Sequence, residues 1–131
     1  MSTQIEQQGP PKLFRALVLD ATTDRANRFC LGGKNYCLSV FRDKESAKVA
    51  LESEWEVVFT SLYLGNWNDP LELVPDLVSA FRAGKFKLLI CYTPITAAGK
   101  DFMQAMKFAQ VPAKWYPYNY NNPSQHNALE L

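Results

Sequence analysis

The chain is poor in the residues that most enzyme sites are built from. It has one histidine, His126, and three cysteines, Cys30, Cys37 and Cys91, with no C-x-x-C pair among them. A His-rich zinc centre or a His-assisted nucleophile therefore has almost no raw material. An odd number of irregularly spaced cysteines argues against a disulfide framework and fits reduced core thiols in a cytoplasmic protein. An excess of one charge is missing too: 14 Lys and Arg stand against 13 Asp and Glu, for a formal net charge of +1. That balance leaves nucleic acid unsupported as a partner, because a phosphate-backbone binder needs a strong basic footprint. No apolar run approaches the roughly 20 residues that span a bilayer, so no membrane association is expected. Met1–Lys12 is Gln-rich, ends in Pro10-Pro11 and lacks the apolar core of a secretory signal.

What remains is 131 residues with 47% hydrophobic content, enough for one domain with a substantial core. Residues 1–12 are expected to form a flexible N-terminal segment, 13–118 the folded domain and 119–131 a polar C-terminal tail. Leu13 to Leu19 is almost wholly apolar and stops at Asp20-Ala21-Thr22-Thr23-Asp24, which supplies turn and helix-capping residues. A short helix is expected through Arg25 to Leu31, closed by Gly32-Gly33, with a second strand over Tyr36 to Phe41. Asp43 then caps a helix containing Ala47, Ala50 and Leu51, and Trp55 to Ser61 reads as a buried central strand.

Asp69-Pro70 signals the start of a further helix, with Leu73, Val74, Leu77, Val78 and Phe81 on its apolar face. Pro75 falls inside that pattern, either tolerated in the first turns or marking a second start. Phe86 to Tyr92 suits a strand covered on both faces. A last helix from about Ala97 to Gln110 carries a Phe102, Met103, Met106 stripe that reads as core packing. After Pro112, Lys114 to Tyr118 forms a short final strand. The alternation predicts a five-stranded, mainly parallel α/β sheet with helices on both faces, of flavodoxin-like or receiver-like type and strand order 2-1-3-4-5.

Ligands in such sheets sit outside the carboxyl ends of the strands, so those ends decide the chemistry. Here Leu17-Val18-Leu19-Asp20, the segment Trp55 to Gly65, the segment Thr93 to Met103, and Pro117 follow one another in a familiar frame. Over residues 13 to 118 the chain resembles the receiver domains, and is most similar to the cyclic-phosphate-processing receiver domain family. That family carries W-D-x-V-x-x-D-H-D-L-G and later H-x-x-N-P-x-G-x-x-x-M. At the matching positions this chain has Ser61-Leu62-Tyr63 for Asp-His-Asp, Thr93 for His, and Thr96-Ala97 for Asn-Pro. Only Asp20 remains of the charged set. The resemblance thus implies a scaffold without its catalytic residues, metal or cofactor. Acid–base or metal-assisted chemistry on a cyclic phosphate needs groups that are missing here.

Four residues define a residual ligand pocket: Asp20, Ser61, Thr93 and Thr96. Asp20 reads either as a ligand carboxylate or as a turn residue. Thr93 to Gly99 reads either as an anion cradle or as a Thr-capped helix start. Tyr63, Asn66, Trp67 and Asn68 form an aromatic loop suited to protein contact, or one that folds back over the adjacent helix. Trp115, Tyr116 and Tyr118 lie on an edge strand that invites partner binding or homodimerisation, or else cap the core. The leading expectation is a non-catalytic protein-binding module, an adaptor or inhibitor of the kind a virus or mobile element directs at a host complex. The alternatives are binding or processing of a nucleotide cyclic phosphate, and a small structural subunit of a larger assembly.

Overall fold

The computed structural model of the protein describes residues 14–20, 36–61, 71–92 and 96–116. Five strands, β1 (Phe14–Leu19), β2 (Tyr36–Phe41), β3 (Val57–Thr60), β4 (Leu88–Tyr92) and β5 (Ala113–Tyr116), form one sheet in the order 2-1-3-4-5. Every neighbouring pair is parallel. Three helices, α1 (Lys44–Ala50), α2 (Val74–Arg82) and α3 (Ala97–Phe108), complete the described elements. This is the α/β, flavodoxin-like arrangement expected from the alternation of apolar runs with helical patterns. None of these helices is long and apolar enough to cross a membrane.

The central strands are continuous apolar runs because both of their faces are covered. Leu17, Leu19, Val58, Leu89 and Cys91 point to one face, where Ala47, Ala50, Leu77, Phe102 and Met106 of the helices meet them. Ala16, Val18, Val57, Phe59, Ile90 and Tyr92 point to the other and form a second buried cluster. All three described helices pack on the first face. The helix expected over Arg25 to Leu31, which belongs to the arrangement with helices on both faces, lies outside the described residues.

Local chemistry explains the element boundaries. Asp43 caps α1 as expected, its side chain accepting the Ser46 N–H at 2.8 Å. α2 starts at Val74, in line with the second start that Pro75 offered: Leu73 is its N-cap, without a side-chain bond, and Pro75 occupies the first turn, while Asp69-Pro70 lies outside the described residues. The proline ring suits that place because no intrahelical partner awaits its missing N–H. Gly84, at φ +76, ends the helix in the left-handed region where glycine carries no Cβ penalty. β3 spans Val57–Thr60, shorter than the expected Trp55 to Ser61, and is preceded by the buried Trp55. Its indole Nε1 donates to the Ala50 carbonyl at 2.8 Å, and the Arg15 guanidinium lies over its ring at 4.5 Å. β4 begins at Leu88, and β5 begins at Ala113, one residue before the expected Lys114; Pro117 and Tyr118 lie outside the described residues.

Candidate functional site

Parallel pairing places the strand exits in rows. Leu19 is in register with Thr60, and Thr60 with Cys91, so the next row comprises Asp20, Ser61 and Tyr92 on the second face of the sheet. Tyr92 is itself in register with Tyr116. Asp20, Ser61 and Tyr92 are each completely buried.

Their hydrogen bonds tie the exits together. The Asp20 N–H donates to the Phe41 carbonyl at 3.1 Å, and the Ser61 N–H donates to the Leu19 carbonyl at 3.1 Å. The Ser61 hydroxyl lies 3.5 Å from the same Leu19 carbonyl. From two strands away, the Tyr92 hydroxyl donates to Asp20 Oδ2 at 2.6 Å, across the exit of β3 where Ser61 sits. A buried carboxyl group has a large desolvation cost unless such donors meet it.

Thr96 is the N-cap of α3, and its Oγ1 accepts the Gly99 N–H at 3.0 Å. That is the capping alternative for this residue. Thr93, also expected in the pocket, and Tyr63, Asn66, Trp67, Asn68 and Tyr118, expected to bind protein, lie outside the described residues. The structure therefore brings together two of the four pocket residues, Asp20 and Ser61, and adds Tyr92. Sequence reading missed Tyr92 because it closes an apolar run and looked like one more core side chain. Among the described residues no group of His, Cys, Asp and Glu is arranged to hold a metal ion.

Trp115 and Tyr116 are half-buried on opposite faces of β5, Trp115 against the helix-side core and Tyr116 against the second cluster. Beside them lies a shallow groove of about 870 Å³, lined by Lys100, Met103, Lys107, Phe108, Val111 and Trp115 among others. The α3 contributors recur at helical spacing and form one stripe. Phe102 and Met106 are buried as the core reading expects, whereas Met103 is half-buried and opens onto the groove. Phe108 is 91% exposed. Its position off the Phe102–Met106 stripe was the available signal that it is not a core residue. Among the described residues, the charged lining of the groove is Lys100 and Lys107.

The two described thiols differ in accessibility: Cys37 on β2 is exposed, and Cys91 is buried, which pushes its pKa up to about 12; Cys30 lies outside the described residues. Compared with known proteins, the chain matches no family model, no curated protein and no solved structure.

Proposed function

We propose that this chain is a non-catalytic, receiver-like protein-binding module, an adaptor or inhibitor of a protein complex, whose contact surface is the groove between α3 and β5. The observation that carries this reading is the state of Asp20. Of the carboxylates just past the described strand ends, Asp43 caps α1, and Asp20 is fully buried with Oδ2 held by the Tyr92 hydroxyl. A carboxylate that activates a nucleophile or anchors a cation must reach the reacting atoms. Asp20 instead joins two strands of the scaffold.

The groove supports the other half of the reading. Phe108 presents a whole aromatic ring to solvent beside Met103 and Trp115, and aromatic side chains are favoured anchors at protein interfaces. Lys100 and Lys107 at its rim suit a partner segment carrying acidic residues.

Two measurements test the proposal together. A partner captured by the intact protein should be lost on Phe108→Ser, with the melting temperature unchanged. A thermal-shift series with 2′,3′-cyclic nucleotides and Mg²⁺ should show no stabilisation. A shift with a cyclic nucleotide that Asp20→Asn abolishes would overturn the proposal in favour of a small-ligand site.

A further inference from the structure

The two edges of the sheet are built differently. β5, described over Ala113–Tyr116, follows Pro112 and carries the exposed Lys114. Proline and lysine are among the means by which proteins keep a sheet edge from pairing with another chain. β2 has neither. It runs for six residues, Tyr-Cys-Leu-Ser-Val-Phe, without charge, proline or glycine, and pairs with β1 along its whole length. Among the described residues no strand lies on its other side.

The backbone direction follows from one hydrogen bond. The Phe41 carbonyl accepts the Asp20 N–H, so the peptide groups of Phe41 face β1. Backbone groups alternate sides along a strand, so Leu38 and Val40 turn their N–H and C=O groups outward. Cys37 is exposed, and Leu38, Ser39 and Val40 are half-buried.

We propose that two copies of this chain pair antiparallel through their β2 edges about a two-fold axis, joining two five-stranded sheets into one continuous sheet. The occupant is a second copy because an uncharged edge meets its own image without opposing like charges. A two-fold contact uses the same patch on both copies and closes on itself. The edges left at the two ends are then both β5, where Lys114 and Pro112 oppose further addition. Pairing of β2 with the β5 of another copy would not close and would propagate as a fibre. The inference is independent of the α3–β5 groove, which lies at the far end of the sheet and stays open in each copy.

Light scattering coupled to size-exclusion chromatography of the full chain provides the test. The expected mass is that of two chains. Val40→Pro removes an outward N–H, a change that edge strands accept, and should reduce the mass to that of one chain with the circular-dichroism spectrum retained. Cys37→Lys places a charge on the exposed side of the same edge and should do the same, which keeps the test valid if the proline variant fails to fold. In a Cys30→Ser background, a short bismaleimide should cross-link the wild-type edge through Cys37, and the Cys37→Lys protein should give no cross-linked dimer. A single-chain mass for the wild type at all concentrations would overturn the proposal. So would polydisperse assemblies, or a dimer unchanged by Cys37→Lys.

Discussion

Tyr92 and Asp20 lie 72 positions apart in the chain and are joined by a 2.6 Å hydrogen bond from the phenol to Oδ2. Both side chains are completely buried. Tyr92→Phe keeps the ring and removes only the donor, leaving a buried acceptor short of one partner. Unfolding in urea should show a loss of about 1–3 kcal/mol. The double variant with Asp20→Asn should be less destabilised than the sum of the two single changes, because residues sharing one hydrogen bond are coupled. Strict additivity would show that the pair is not a unit.

Phe102 and Phe108 sit on the same helix, one with 1% and the other with 91% of its surface exposed. Phe102→Ala should cost about 3–5 kcal/mol through lost packing and the cavity left behind. Phe108→Ala should change stability by no more than about 0.5 kcal/mol, as surface substitutions do. Chemical denaturation of the two variants checks this. A large loss at Phe108 would mean that its ring is packed and unavailable to a partner.

The two side-chain helix caps differ in their response to pH. Thr96→Ala should cost about 1 kcal/mol at any pH near neutrality, since a hydroxyl does not titrate there. Asp43 accepts bonds from the Ser46 N–H and hydroxyl, and these hold its carboxyl below the ordinary value of 3.8. A folded-state value depressed in this way stabilises the protein above pH 3.8, and the benefit is lost as pH falls through the folded value. The stability gap between wild type and Asp43→Ala should therefore be full at neutral pH and shrink in strong acid. Urea titrations at several acidic pH values measure it.

In a Cys30→Ser background, the two described thiols should separate cleanly in a labelling experiment. The thiolate is the reactive form, and burial raises Cys91 from the ordinary 9.0 to about 12. Cys37 is exposed and should react with a maleimide in the native state, whereas Cys91 should react only after unfolding. The sign for stability follows from the raised value. The Cys91 contribution is complete below about pH 9 and declines as pH rises toward 12. The Cys91→Ala protein should lack that part of the alkaline decline.

Strand order was legible in the sequence because each strand is a short apolar run bounded by turn or capping residues. The intervening lengths also leave room for helical crossovers alone. Asp43 was legible as a cap for the same local reason. The start of α2 was not, because Asp69-Pro70 and Leu73-Val74-Pro75 carry similar signals and the choice depends on packing. The fate of Asp20 was also hidden. Its partner Tyr92 is remote in sequence, and no periodicity connects a carboxylate after β1 with a phenol at the end of β4. Phe108 was legible as lying off the core stripe, but its place beside Trp115 depends on where α3 sits against β5, a tertiary relation that composition does not carry.

The strand order also sets a sequence for assembly during synthesis. Of the described strands β1 is made first; β2 occupies one flank, and β3, β4 and β5 then add to the other in the order in which they are made. No later strand has to insert between two already docked, so nascent pairing can extend outward one step at a time. Asp20 is the exception, since it must wait until residue 92 has emerged for its phenol donor. The exit end of β1 thus closes only once β4 has formed, and a chain stalled before Tyr92 would hold a carboxyl group in an apolar end without that donor. Pulse proteolysis of nascent chains arrested before and after Tyr92 would show protection rising across that point, making β4 rather than β5 the committing strand of the fold.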